Sequence, residues 1–239
     1  SGSSLHQDGN NAAGSNAALR YWQFYLRGGK LLVRRAALRN NASQIKTHMS
    51  ERENDMADDR REELEALLAR QRAAFTASRP EPMSQRKDRI RRAIALVKDH
   101  GDEFAKAMSA DFGSRSVQQS MLTDIAATVG AGNHALKHMD AWAKTEKRKV
   151  QFPLGLLGAK AELRYEPKGV IGILSPWNFP VNLTFGPLMQ VFAAGNRAMI
   201  KPSEFTENVS ALIARLVPDY FDASEMAVFT GDADVGVAF

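Results

Sequence analysis

Cysteine is absent from all 239 positions. Disulfides and thiolate metal sites are therefore excluded, and a reducing compartment is compatible with the composition without being required by it. No apolar run approaches the ~18 residues of a spanning helix, so no membrane partner and a cytoplasmic location are expected. Neither a Walker loop nor a G-x-G-x-x-G fingerprint occurs, so the usual sequence signatures of a phosphate cradle are missing. Acids are nearly missing from residues 1–50, which hold seven Lys/Arg against Asp8 alone, whereas the remaining 189 residues hold 25 against 26. The formal charge of +5 thus belongs to the first fifty residues, and no nucleic-acid partner is expected of the rest.

What is present is ordinary for a globular protein: 44% hydrophobic and 25% charged residues, in a length that allows one large or two small domains. Residues 1–18 are mostly Ser, Gly, Asn and Ala and are expected to be disordered. Residues 19–47 place Arg20, Arg27, Arg34, Arg35 and Arg39 around Trp22, Phe24 and Leu31–Val33. Such a stretch fits a transit peptide, a membrane-surface helix or a nucleic-acid arm. A leader foreign to the folded part is the preferred reading, given the Ser-Gly-Ser-Ser start without Met. Residues 1–60 are set apart on these grounds as a basic leader.

From residue 61 to 146 the spacing predicts helices. Leu64, Leu67, Leu68 and Phe75 recur until Pro80 and Pro82 break the chain. Ser84 is the expected cap of a second helix carrying Ile90, Ile94, Val97 and Phe104, interrupted near Gly101. A third carries Met121, Leu122, Ile125, Val129, Leu136 and Met139 on one side, with Gly130 and Gly132 inside it. Residues 147–166 read as a β-hairpin, Lys149–Phe152 and Ala161–Tyr165, around an apolar turn that would seek a partner surface. Residues 167–239 then alternate. Val170–Leu174 reads as a buried parallel strand, followed by a helix from Val181 interrupted early at Gly186-Pro187. A strand at Arg197–Ile200, a helix at Glu207–Val217 and a strand at Ala227–Thr230 complete the pattern. The fold class is α/β, a doubly wound parallel sheet preceded by a helical region and a hairpin.

In an open parallel sheet, ligands sit beyond the carboxyl ends of the strands. Ser175-Pro176-Trp177-Asn178-Phe179-Pro180 follows the first strand there, and Lys201-Pro202-Ser203-Glu204 follows the second. The prolines restrict the directions the Asn178 amide can take, as suits an N–H donor to a developing oxyanion. Asn178 equally suits a helix cap or a satisfied turn. Lys201 and Glu204 suit a solvated surface pair, or contacts to the two hydroxyls of an adenosine ribose, where an acid favours NAD over NADP. His134 and His138 are four apart on a helix, but no further ligand or general base accompanies them, so a solvated face is expected.

Taken in order with Ala194-Gly195-Asn196, the hairpin's Phe152-Pro-Leu-Gly-Leu-Leu-Gly158 and Phe205-Thr-Glu-Asn208, these segments resemble the aldehyde dehydrogenase family. The branch is the class-3-like, coniferyl aldehyde dehydrogenase one, matched over roughly residues 62–239. The resemblance implies an incomplete Rossmann-like sheet and an oxidation of aldehydes to carboxylic acids through a Cys thiohemiacetal. It implies that Asn178 helps bind the oxyanion. Lys201 and Glu204 would contact the ribose of NAD (NADP possible), with Ile173, Ser175, Pro176, Trp177 and Ser203 lining the cofactor cleft. It implies a homodimer joined through the 147–166 hairpin. Phe229-Thr-Gly231-Asp-Ala-Asp-Val-Gly236 mimics the family's second glycine motif but comes too early, so neither Gly231 nor Gly236 is assigned to phosphate.

The family's nucleophilic Cys and general-base Glu correspond to sequence beyond Phe239, so the chain reads as the N-terminal part of such an enzyme. Alone it is expected to oxidise no aldehyde and to bind cofactor weakly. The competing readings are a non-catalytic partner that docks on a full-length subunit through the hairpin, and a basic arm resting on Arg20–Arg39.

Overall fold

The computed structural model describes residues 59–239. The expectations for the basic leader therefore lie outside the described residues, apart from its last two positions. Helix α1 covers residues 59–77, α2 Met83–Asp99, α3 Gly101–Phe112 and α4 Val117–Ser120. One π-helical turn, Met121–Ala126, joins α4 to α5, Ala127–Trp142. Strands β1, Glu146–Arg148, and β2, Ala161–Leu163, pair antiparallel. Then come β3 (Val170–Leu174), α6 (Asn182–Ala193), β4 (Arg197–Lys201), α7 (Glu207–Tyr220), β5 (Met226–Val228) and α8 (Ala233–Ala238).

The parallel sheet runs β3-β4-β5, with Leu174 opposite Lys201 and Ile200 opposite Val228. Right-handed crossovers that step in one direction put both connecting helices on one face. Accordingly Ile173, Ala198, Ile200 and Met226 share a core with Phe185 and Phe192 of α6 and Ile213 and Leu216 of α7. Ile90, Leu96 and Val97 of α2, Phe104 and Met108 of α3 and Met139 of α5 extend that core. On the opposite face, Val170, Gly172 and Met199 meet Leu64 and Leu68 of α1 and Phe239.

The edge position of β3 corrects the expectation that it is buried. The central β4 is buried throughout, but β3 lies at the sheet edge and keeps only Ile173 fully buried, with Leu174 62% exposed. Helix α2 starts after Pro82 and not at Ser84; Gln85 N and Arg86 N both donate to Pro82 O, so the proline turn itself opens the helix. The break near Gly101 separates two helices. His100 leaves helical geometry, and the bare Gly101 sits where a Cβ would come within 3.3 Å of Ile125.

Leu122 points outward, 70% exposed, because the π turn inserts an extra residue and rotates the stripe so that Asp124 and Ile125 face inward. The first hairpin strand is Glu146–Arg148, three residues before the expected Lys149–Phe152. Residues 152–158 are instead a run of tight turns whose N–H groups bond carbonyls three residues back, as Leu156 does with Pro153. Helix α6 passes through Gly186-Pro187 without interruption. A proline inside a helix costs about 3 kcal/mol, whereas burying Phe185, Leu188, Met189 and Phe192 returns about 1.5–3 kcal/mol each. Strand β5 is Met226–Val228, shorter and earlier than Ala227–Thr230. Asp232 then caps α8, its carboxylate accepting from Val235 N.

Candidate functional site

The tips of β3 and β4 are stitched together where the candidate residues lie: Ser175 N donates to Lys201 O at 3.0 Å. Ser175 is buried, and its hydroxyl accepts from Thr184 Oγ1 at 2.8 Å, so its side chain is not open to a ligand. Ile173 is buried in the core, its side chain likewise closed to a ligand. Pro176, Trp177 and Asn178 are exposed, and the Trp177 ring packs 6.1 Å from that of Phe112.

Among the described residues nothing bonds the Asn178 carboxamide. The cap alternative is not realised: the N-cap of α6 is Val181, and the first α6 N–H groups go elsewhere. They go to Asp124. Its Oδ1 accepts from Val181 N at 3.2 Å and Asn182 N at 3.1 Å, a carboxylate at a helix N-terminus where the dipole favours it. Burial pushes the Asp124 carboxyl up from its ordinary value, while the Asn182 and Val181 N–H groups and the Arg115 guanidinium pull against it. Arg115 and Asp124 are the residues that sequence reasoning missed. The available signal was an acid inside an otherwise apolar helical stripe.

Lys201 is 4% exposed and pairs with the half-buried Glu204 carboxylate. The Lys201 hydrogen bond holds Glu204 below the usual carboxylate range. Helix α8 lies over the Lys201 stem, near enough that a Cβ on Gly236 would sit 4.0 Å from its Cε. Of this pair, then, the carboxylate is the part within reach of a ligand. Ser203 is buried, its Oγ accepting from Phe205 N and its carbonyl from Ser210 Oγ, and so it shapes the turn.

The arrangement brings together a free amide donor, exposed backbone and an acid at adjoining strand ends. A cavity of about 510 Å³ lies at the other end of the sheet, between Arg86, Trp142, Glu146, Tyr165 and the end of α6. The His134 and His138 ring centroids lie 4.1 Å apart with the planes tilted by 35°, and among the described residues no group of three or more His, Cys, Asp or Glu stands ready for a metal.

Residues 37–239 match the model of the aldehyde dehydrogenase family. The chain belongs to that family. The match opens at residue 37, inside the segment expected to lie outside the likeness. A probable coniferyl aldehyde dehydrogenase of Caulobacter vibrioides is 50% identical over 174 residues, 72% of this chain and 36% of that protein. A coniferyl aldehyde dehydrogenase of Pseudomonas sp. is 44% identical over 178 residues, 74% of this chain and 36% of its own length. The chain thus spans little more than a third of the curated relatives it matches.

Among solved structures, a substrate-bound Staphylococcus aureus AldH superposes with a TM-score of 0.67 at 31% identity, over 72% of this chain and 37% of that one. The fold is also that of the glyceraldehyde-3-phosphate dehydrogenase GapN from Methanocaldococcus jannaschii, solved complexed with NADP, at a TM-score of 0.59 and 20% identity; 74% of this chain and 38% of that one are covered. The sheet and the helices before it are therefore the Rossmann-like fold of aldehyde dehydrogenases. Among the described residues no helix is long and apolar enough to cross a membrane.

Proposed function

We propose that this chain supplies the cofactor cleft and the oxyanion donor for NAD(P)-dependent oxidation of an aldehyde to a carboxylic acid. The observation that carries the proposal is the pairing of strand tips: an unbonded Asn178 carboxamide after β3 and the Lys201–Glu204 pair after β4, joined through Ser175 N and Lys201 O. Asn178 would donate to the oxygen of the aldehyde as it becomes anionic under attack by a thiolate. No cysteine is among these 239 residues, so in this reading the thiolate is supplied from outside them, together with the base that activates water.

The residues present fit a dinucleotide at its adenosine end. The reachable Glu204 carboxylate can accept from a ribose hydroxyl and repels a 2′-phosphate, which favours NAD over NADP. Lys201 holds that carboxylate in place, Ser203 fixes its turn, and the backbone at Ile173, Ser175, Pro176 and Trp177 borders the same cleft. The cofactor, when bound, supplies the hydride acceptor.

Two relatives are named for coniferyl aldehyde, so an aromatic aldehyde is the proposed substrate class. In the full-length protein the 147–166 hairpin joins subunits as a homodimer. Its support is the turn itself, where Phe152, Leu156 and Leu157 are each close to 80% exposed. The same surface serves the second reading, a non-catalytic partner of a full-length subunit.

The test is to read the gene past codon 239 and assay the longer product. A Cys and a Glu should follow. Asn178→Ala should then lower kcat/KM by about 10²–10³-fold, the worth of one oxyanion donor, with NAD affinity unchanged. A stop codon followed by unrelated sequence, or full activity in Asn178→Ala, contradicts the reading.

A further inference from the structure

We propose that Arg115 is a positioning residue that holds the Asn178 loop in its working orientation; the role given to the loop rests on the reading of Asn178 above. Pro176 has no N–H to give, and among the described residues the only hydrogen bond to the backbone of Pro176, Trp177 or Asn178 comes from Arg115. Its Nη1 donates to Asn178 O at 2.7 Å. Fixing that carbonyl fixes the peptide plane after Asn178 and the place of its Cα, which narrows the directions open to the Asn178 side chain.

The guanidinium is itself held through both terminal nitrogens and between two rings. Its Nη2 donates to Asp124 Oδ2 at 2.5 Å and to Thr123 Oγ1 at 3.3 Å. The rings of Phe112 and Phe179 lie 5.1 and 5.2 Å from Cζ, within cation–π range. Asp124, wholly buried, turns its other oxygen to the N–H groups of Val181 and Asn182. One Arg–Asp pair thus grips the loop on both sides of Phe179: the carbonyl before it and the helix start after it.

The local backbone serves this grip. Asp124 sits in the π turn, a departure from α-helix that is often found at functional sites. Its carbonyl is taken by Thr128 Oγ1 at 2.5 Å. Arg115 Nε is buried without a partner, so the side chain is placed for its terminal nitrogens and not for saturation of all its donors. A lysine could reach one of these acceptors but could not bridge a carbonyl and a carboxylate while stacking on two rings.

The test uses the whole 239-residue chain, ¹⁵N-labelled, with Arg115→Lys and Arg115→Met. In the parent, the backbone N–H groups of Trp177, Asn178 and Phe179 should show order parameters near the rigid value of about 0.85. In both variants they should fall below about 0.6, and the Asn178 carboxamide signals should shift and broaden. The amides of β3 and β4 should keep their values and report that the fold persists. A merely structural Arg115 would instead loosen α5 and α6 together and leave the carboxamide signals unmoved.

If the variants fold and residues 177–179 stay rigid, the proposal is overturned. If Arg115→Met does not fold, Arg115→Lys alone decides, since it keeps the charge and most of the stem. Loop order reads the grip whatever Asn178 does in chemistry. The Asn178→Ala assay reads the oxyanion role whatever holds the loop, so the two can fail separately.

Discussion

Gly132 and Gly130 stand two residues apart on α5 and face opposite requirements. A Cβ at Gly132 would lie 2.6 Å from Ile94 Cγ1 and 2.8 Å from its Cδ1, whereas nothing lies within 4 Å of a Cβ at Gly130. Gly132→Ala should therefore destabilise by about 1–3 kcal/mol, the usual cost of overpacking. Gly130→Ala should stabilise by about 0.5–1 kcal/mol through lower backbone entropy in the unfolded chain. Urea denaturation of both variants checks this, and equal shifts of one sign would contradict the packing of α5 against α2. The sequence shows two glycines in one helix and offers no way to rank them, because the difference is made by Ile94, far away in the chain. Asn178, Lys201 and Glu204 were legible because two local motifs follow two strands. Arg115 was not, since its partner Asn178 is 63 residues off and no local pattern connects them.

At the scale of elements, α2 is fastened to the strands that begin at Arg197 and Met226 by an ionic cluster, buried at Arg89, Glu81 and Arg197 and partly buried at Arg92 and Glu225. Arg89 bonds Glu81 at 2.6 Å and Glu225 at 2.8 Å, Arg92 bonds the other Glu225 oxygen at 2.8 Å, and Arg197 lies 3.4 Å from Glu81. Burial alone would push Glu225 up, but the bonds from Arg92 and Arg89 together outweigh it and hold the carboxyl below its ordinary value. A depressed carboxylate stabilises fully above its unfolded value, about 4.3, and the contribution drains away as pH falls through the folded value. Stability measured by urea should therefore drop steeply below about pH 4. Glu225→Gln should cost about 3 kcal/mol at neutral pH, because two guanidinium groups lose their anion, and should flatten that acid slope. An unchanged slope would remove Glu225 from the account. The strand–helix alternation that built this end of the sheet was readable from apolar runs and turn residues. The half-exposed β3 was not, because apolar runs report composition and not whether a strand lies at the centre or the edge of its sheet. The passage of α6 through Pro187 was hidden for a related reason: tertiary packing of Phe185 and Phe192 overrides the local rule.

Across the described residues, the two ends of the parallel sheet do different work. The ends where the strands begin carry the ionic cluster and the 510 Å³ cavity beside Trp142 and Tyr165; the ends where they finish carry Asn178 and the Lys201–Glu204 pair. The central claim is that the finishing ends form one nucleotide crevice. Titration of the ¹⁵N-labelled chain with NAD, followed residue by residue in amide spectra, tests it most directly. Weak, saturable shifts confined to Ile173–Asn178 and Lys201–Glu204, reduced by Glu204→Ala, are the predicted result. Shifts that gather instead around Arg86, Trp142 and Tyr165, or none at millimolar NAD in a folded chain, would contradict it.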